Sequence, residues 1–251
     1  MLAEQRHQYI LSELSKNGAL SVAELVRALD VSRETIRRDL NALAERGLIV
    51  TTHGGALAAD HREPHVDVRE QANAAAKRAI GARAAQLVPD GASVVIDSGS
   101  TTQAVARSLA DRHRLTVYTN DWRIAMLLAR RNDNRVTLLG GEVSDHEDAL
   151  FGLDTMQQLS QYHADFAFVG AGGITADAFL TDYSRLAAEV RSRMIVTAST
   201  AVVVADHSKF GLVAPVRIRD FEKVRYLITE LAPDKALRRA LAARGPELVV
   251  V

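Results

Sequence analysis

Beyond residue 74 the chain alternates short apolar runs with longer helical stretches, and this alternation constrains the fold more than any other feature. The apolar runs are nearly pure, as in VVI before Asp97, FAFV before Gly170 and AVVV before Ala205. An unbroken apolar run of this length predicts a strand that is buried on both faces. Such strands separated by helices indicate a mostly parallel sheet with helices on both sides, so we expect an α/β fold.

The first 57 residues have a different pattern. Apolar residues at helical spacing predict a first helix, and Ser21, three residues before Glu24, forms a capping box for a second. Ser32 is placed to cap a third helix. Residues 48–57 then predict two short strands joined by a glycine turn. Three helices followed by a hairpin is the element order of a winged helix-turn-helix.

The pattern breaks after this hairpin, in a stretch crowded with His, Arg, Glu and Pro. We therefore predict a winged helix-turn-helix over residues 1–57, a linker over 58–73, and an α/β domain over 74–251.

The third predicted helix carries three arginines that have two interpretations. Its apolar stripe of Ile36, Leu40 and Leu43 turns Glu34, Arg37 and Arg38 outward and puts Arg33 beside them. A basic cluster on a helix is most often a solvated face. In a helix-turn-helix, however, this position enters the major groove of DNA, where arginine bonds guanine or phosphate. The neighbouring helix and hairpin favour DNA binding.

Composition narrows the function further. Thirty-one Lys and Arg balance 31 Asp and Glu, so affinity for DNA must come from a local patch. The absence of cysteine excludes disulfides and thiolate chemistry. No secretion signal and no apolar run of about 20 residues is present, so we expect a cytoplasmic protein without a membrane partner. His61 and His65 flank Pro64 without a carboxylate pair, and we expect no metal, no cofactor and no catalytic residue.

One stretch in the second domain predicts an anion site. A strand ends at Asp97, a Ser-Gly-Ser turn follows, and a helix begins near Thr101. Unpaired N–H groups and the helix dipole favour a phosphate there, although the same turn is also an ordinary helix cap. Asn120, Gly141 and Gly172 lie near other strand ends. Because the carboxyl ends of parallel strands share one edge of a sheet, these residues predict a single cleft.

Two groups of motifs resemble one family. The first group resembles the DNA-binding module of the DeoR family of bacterial sugar-catabolism repressors, and it consists of LSVAELVRALDVSRETIRRDLNALAERG followed by THGGA. The second group resembles the sensor domain of the same family, and it consists of DSGSTT, FVGAGGI, AEVRSRMI and ADHSKFG in that order. That sensor domain is similar in fold to ribose-5-phosphate isomerase and the CoA transferases.

The resemblance assigns residues to two sites. Together with the outward Glu34, the DNA-binding residues it implies are Ser32, Arg33, Thr35, Arg37, Arg38, His53 and Gly54. The effector contacts it implies are Asp97, Gly99, Ser100, Thr101, Thr102, Asn120, Gly141, Gly172, Asp182, Glu189 and Lys209. We add Tyr183 as the aromatic residue best placed to stack on a sugar.

Two positions depart from the family pattern. Val50 and Thr51 stand where the wing is usually basic, so we expect weaker wing contacts to phosphate. Arg191 stands where the family usually has lysine, and its planar fork would engage the oxygens of an effector differently.

The main hypothesis is a homo-oligomeric repressor, a dimer or tetramer, that a phosphorylated sugar or polyol releases from operator DNA. The alternative is a sugar-phosphate isomerase or deaminase in which Asp97, Asp182 and Glu189 move protons near Lys209. The sequence does not separate a repressor from an activator.

Overall fold

A computed structural model describes residues 2–46, 48–52, 54–58, 63–144 and 147–251. The N-terminal module contains three helices and a three-stranded antiparallel sheet in the order β1-β3-β2. Its elements are α1 (Ala3–Asn17), β1 (Ala19–Ser21), α2 (Val22–Leu29), α3 (Arg33–Glu45), β2 (Ile49–Thr52) and β3 (Gly55–Ala58). The predicted winged helix-turn-helix is confirmed. Strand β1 was not predicted, because a run of three residues between two helices shows no periodicity.

Local signals in the sequence place these helices. Gly18 ends α1 in a left-handed conformation, with φ of 70°, which glycine adopts without a steric penalty. The Ser21 and Glu24 side chains cap α2 reciprocally. Ser32 caps α3, where its hydroxyl accepts the Thr35 N–H at 3.1 Å.

The second domain is built on a parallel sheet whose described strands follow the order β15-β14-β12-β9-β4-β5-β6. These strands are β4 (Ser93–Ile96), β5 (Thr116–Thr119), β6 (Arg135–Leu138), β9 (Ala164–Val169), β12 (Ala198–Val204), β14 (Val224–Thr229) and β15 (Glu247–Val250). Every pairing among them is parallel. The predicted fold class is confirmed.

Successive strand residues serve opposite faces of this sheet. Val94 and Ile96 belong to one buried cluster with helices α5 (Ala74–Ala85), α6 (Ser100–Ser108) and α7 (Trp122–Leu128). Val95 belongs to another, with α8 (Leu153–Leu159), α9 (Arg185–Thr197) and α10 (Lys235–Arg244). Both faces of the sheet are therefore buried, which explains why the sequences of its strands are unbroken apolar runs.

Smaller elements surround this frame. The predicted linker contains a short helix, α4 (Val66–Gln71). Outside the main sheet lie the pair β7 (Glu142–Val143) and β8 (Leu150–Phe151), and the sheet β10-β11-β13 of Gly173–Ile174, Leu180–Asp182 and Val216–Arg217. Two 3₁₀ turns span His207–Lys209 and Phe221–Lys223.

The strand order positions a cleft. From β4 the chain adds β5 and β6 on one side, and it then returns to add β9, β12, β14 and β15 on the other. Ligands of open α/β sheets bind outside the carboxyl ends of the strands at this reversal, which lies here between β4 and β9.

The two domains touch beside this cleft. Ala19 and Leu57 of the N-terminal module pack with Leu212 and Tyr183. Gly54, in the turn between β2 and β3, lies so close to Gly211 that a Cβ there would be 2.5 Å from the Gly211 carbonyl oxygen.

Candidate functional site

Helix α3 presents the predicted DNA-binding side chains to solvent. Ile36, Leu40 and Leu43 are buried beneath it, as its apolar stripe predicts. Arg33, Glu34, Arg37 and Arg38 are exposed. The Arg38 Nε lies 3.7 Å from the Glu34 carboxylate, and both side chains are largely solvated. An ion pair this exposed contributes little to stability, so these side chains remain available to a ligand.

A buried carboxylate that the sequence analysis missed attaches α3 to α1. Asp39 is 5% exposed and accepts two hydrogen bonds from Arg6, at 2.6 and 3.0 Å, and lies 3.1 Å from the His7 Nε2. Burial alone would raise the pKa of Asp39, but Arg6 outweighs it and holds the pKa below its ordinary value. The sequence did carry a signal for this burial, because Asp39, although it directly follows the exposed Arg38, lies in phase with the apolar stripe of α3.

The wing can be described only in part. His53 lies outside the described residues. Gly54 lies against the second domain at Gly211, and Val50 is 37% exposed on β2.

In the second domain, the turn after β4 is the candidate site for an anion. Gly99 takes φ of 123° and starts α6, and no side chain caps the first turn of this helix. The Ser98 hydroxyl is 1% exposed and has no hydrogen-bond partner in the described part of the chain. Buried polar groups are nearly always satisfied, so an unpartnered hydroxyl beside free helix N–H groups indicates a place for an acceptor.

We call this place the anion seat. It is lined by the end of β4 and the start of α6, by two residues after β9, and by charged side chains from three other segments. The lining residues are Glu63, Arg69, Ser98, Gly99, Ser100, Thr101, Thr102, Gly170, Ala171, Arg191, Val204, Ala205 and Lys209. Six predicted effector residues are thereby brought together: Gly99, Ser100, Thr101, Thr102, Arg191 and Lys209.

Two other predicted residues hold Arg191 in place. The Arg191 Nε donates to Asp97 at 2.7 Å, and its Nη1 donates to Asp182. All three are at most 3% exposed. Asp97 also accepts the Gly170 N–H at 3.0 Å, which ties the ends of β4 and β9 together. The two carboxylates thus orient the Arg191 guanidinium.

The remaining predicted residues lie elsewhere. The Asn120 side chain donates to the Leu150 carbonyl at 3.1 Å. Gly141 packs against Phe151 and Thr155. Glu189 pairs with Arg219 on the solvent side of α9. Gly172 lies beneath the Tyr183 ring, at the contact between the domains.

Four charged residues around the seat escaped the sequence analysis: Glu63, Arg69, Lys77 and Glu147. Arg69 reaches Glu63 at 3.2 Å and Glu147 at 2.8 Å. A Cβ on Gly99 would be 3.7 Å from the Arg69 Nη1, so this guanidinium lies against the seat's turn.

Lys77 and Asp206 position the cations. Lys77 donates to the carbonyl oxygens of Arg69 and Ala72, the latter at 2.8 Å. Asp206 caps the turn that carries Lys209 and accepts the Ser208 N–H at 3.1 Å. Lys77 could have been found, because it precedes the buried Ile80 and Ala84 at helical spacing.

Burial perturbs the charges around the seat. Burial would raise the pKa of Glu63, but Arg69, Lys209 and Arg191 lower it to about 2. Burial, opposed by Arg69 and reinforced by the charge of Glu63, raises the pKa of Glu147 to about 7. Burial also lowers the pKa of Lys77 to about 8. Glu63 is therefore ionised at neutral pH, whereas Glu147 titrates near it.

Other chemistries find less support. Among the described residues, no group of three His, Cys, Asp or Glu could hold a metal ion. In that same part of the chain, no helix combines the length and apolar character that a membrane crossing requires.

An exposed basic recognition helix joined to an α/β domain with a buried anion seat is the arrangement of a ligand-responsive DNA-binding regulator. Residues 6–62 match the DeoR-like helix-turn-helix domain, and residues 72–231 match the DeoR C terminal sensor domain. The chain therefore belongs to the DeoR family of transcriptional repressors, as its motifs predict.

Two repressors of known regulons agree with this assignment. The glycerol-3-phosphate regulon repressor of Haemophilus influenzae is 39% identical over 231 residues, which cover 91% of this chain and 90% of that protein. The glycerol-3-phosphate regulon repressor of Escherichia coli is 33% identical over 243 residues, 96% of each chain. Ribose 5-phosphate isomerase A from Methanocaldococcus jannaschii is similar over 55% of each chain, with 21% identity and a TM-score of 0.41. Since its close relatives are repressors, the chain is a regulator, and the enzyme alternative is wrong.

Proposed function

We propose that this chain represses an operon for carbohydrate catabolism and that a phosphorylated sugar or polyol releases it from its operator. The observation that carries the effector half is the anion seat. Within the described residues, the start of α6 and the Ser98 hydroxyl lack side-chain partners there and lie beside the cations Arg69, Arg191 and Lys209. A phosphate group would supply acceptors for the Ser98 hydroxyl and the N–H groups at the start of α6, and a negative charge beside the three cations.

The DNA half rests on α3. Ser32 caps its start by accepting the Thr35 N–H, and Arg33, Arg37 and Arg38 are exposed on the side that a major groove would meet. Operators of helix-turn-helix proteins carry two half-sites, so the active species is a dimer or a tetramer. We assign residues 1–57 to operator binding, 58–73 to the connection and 74–251 to the effector. A protein that binds chromosomal DNA acts in the cytoplasm.

Two relatives are named for the glycerol-3-phosphate regulon, which makes glycerol 3-phosphate the first compound to test. The experiment is titration calorimetry of the purified full-length protein with glycerol 3-phosphate, several hexose and pentose phosphates, and glycerol itself. We expect at least one phosphate ester to bind and glycerol to fail.

Lys209→Ala should weaken that binding at least tenfold, because Lys209 lines the seat. Lys223→Ala is the matched control, since Lys223 is exposed and pairs only locally with Asp220. Binding that is unaffected by Lys209→Ala would place the effector elsewhere, and a panel without any ligand would refute the effector half.

A further inference from the structure

The anion seat already contains an anion, which belongs to the chain itself. The Glu63 carboxylate lies 3.2 Å from the Arg69 Nη1 and 3.7 Å from the Lys209 Nζ. Its side chain is only 12% exposed, although Glu63 comes from the segment between the two domains. Glu63 is thus a counter-charge to Arg69 and Lys209, in addition to the carboxylates that already hold Arg191.

With Glu63 in place, the seat has no room for a phosphate group. The free space is about 20 Å³, whereas a single water needs about 10–15 Å³. A phosphate with its three terminal oxygens therefore needs the volume that the Glu63 carboxylate occupies, and both need the same cations. The two anions therefore compete for Arg69 and Lys209.

We propose that Glu63 is an internal competitor of the effector: its carboxylate fills the anion seat in the unliganded repressor, and a bound phosphate expels it. This inference rests on the proposed function, because it concerns the regulation of the same seat.

The exchange is chemically reasonable in both directions. Glu63 is held by Arg69 and Lys209, and the low pKa that these cations give it keeps it charged at neutral pH. It does not satisfy the Ser98 hydroxyl, which stays unpartnered in the described part of the chain. A phosphate carries more charge and more acceptor oxygens, so it can bind the same cations together with Ser98 and the start of α6.

The position of Glu63 gives this exchange a route to the DNA-binding module. Glu63 lies five residues after the end of β3, and five residues of fully extended chain span at most about 18 Å. The exchange at Glu63 therefore takes place within that distance of the wing. Lys209, the second partner of Glu63, is two residues from Gly211, on which the wing turn at Gly54 packs. Glu63 and its partner Lys209 thus both lie within a few residues of positions that belong to the wing or contact it.

The size of the expected change in phosphate affinity follows from the fraction of time that Glu63 leaves the seat open. A site that is open only one-tenth of the time binds its ligand about tenfold more weakly than an open one. Glu63→Gln keeps the shape of the side chain but removes the charge that attracts Arg69 and Lys209. We expect this variant to bind inorganic phosphate and glycerol 3-phosphate at least tenfold more tightly than the wild type.

The experiment compares the wild type, Glu63→Gln, Glu63→Ala and Glu70→Gln by titration calorimetry with both compounds. Glu70 is the matched control, because it lies on α4 and pairs with Arg107 and Arg123 away from the seat. Glu70→Gln should bind like the wild type. In operator gel shifts, the compound concentration that releases half of the DNA should fall for Glu63→Gln by the same factor as its dissociation constant.

Each other outcome has a defined meaning. If the wild type binds a phosphate ester and both Glu63 variants bind it equally or more weakly, the competitor is refuted and the proposed function stands. If no compound binds any of the proteins, both fail. Thermal unfolding of all four proteins shows whether a lost affinity reflects a lost fold.

Discussion

Replacing Arg191 by methionine tests whether the charges behind the anion seat are held as the structure indicates. Arg191 is 3% exposed and bridges Asp97 and Asp182, which are themselves 0% and 1% exposed. Methionine fills a similar volume but leaves two buried carboxylates without a counter-charge. Removing one partner of a buried ion pair costs about 3–5 kcal/mol. For a domain of this size, that corresponds to a fall in melting temperature of roughly 10 °C.

The assay is urea unfolding of the full-length protein at pH 7.5 and again at pH 5. The loss in free energy of unfolding should be smaller at pH 5, because a carboxyl group without its cation protonates more readily and a neutral carboxyl needs no counter-charge. Arg193→Met is the matched control, since Arg193 is exposed on the same helix. If Arg191→Met is no less stable than Arg193→Met, then the bridge does not hold the site together, and our reasoning is wrong.

Three further predictions concern single side chains. The pKa of Glu147 is raised to about 7 in the folded protein, so its contribution to stability is present below about pH 4.5 and is lost as the pH rises through 7. Glu147→Gln should therefore flatten the dependence of the free energy of unfolding on pH between these two values, which denaturant titrations across that range would measure. Arg37→Ala should abolish operator binding in gel shifts while Arg46→Ala, at the far end of α3, does not, and loss of effector binding in Arg37→Ala would indicate misfolding instead. Ser98→Ala should leave the free energy of unfolding within about 0.5 kcal/mol of the wild type, because no hydrogen bond is lost, yet weaken phosphate binding by about tenfold or more in calorimetry; unchanged affinity would remove Ser98 from the seat.

Much of the fold could be predicted because the local signals agree with one another. The capping residues Ser21 and Ser32 mark helix starts, and the apolar strands fix a parallel sheet. Short elements such as β1 and the small sheet around β11 could not be predicted, because two or three residues carry no periodicity and pair only through tertiary contacts.

The site was predicted in the same uneven way. The turn from Asp97 to Thr102 has its own signature, a strand followed by Ser, Gly and a helix start. Glu63 and Arg69 carry no such signature, since they lie in a polar segment and become site residues only when the chain folds back over the sheet. Glu189 shows the converse, because its motif is clear but its side chain turns to solvent and pairs with Arg219.

The most direct test of the account is a linkage measurement between the two sites. The dissociation constant of the full-length protein for its own upstream DNA is measured without ligand and with a saturating phosphate ester that calorimetry has identified, and the ester's constant is measured with and without DNA. Thermodynamic reciprocity requires one factor in both directions, and couplings of this kind are about 5–150-fold. We predict that the ester weakens DNA binding by such a factor and that DNA weakens ester binding equally. An ester that binds the seat but leaves the affinity for DNA unchanged would contradict the account.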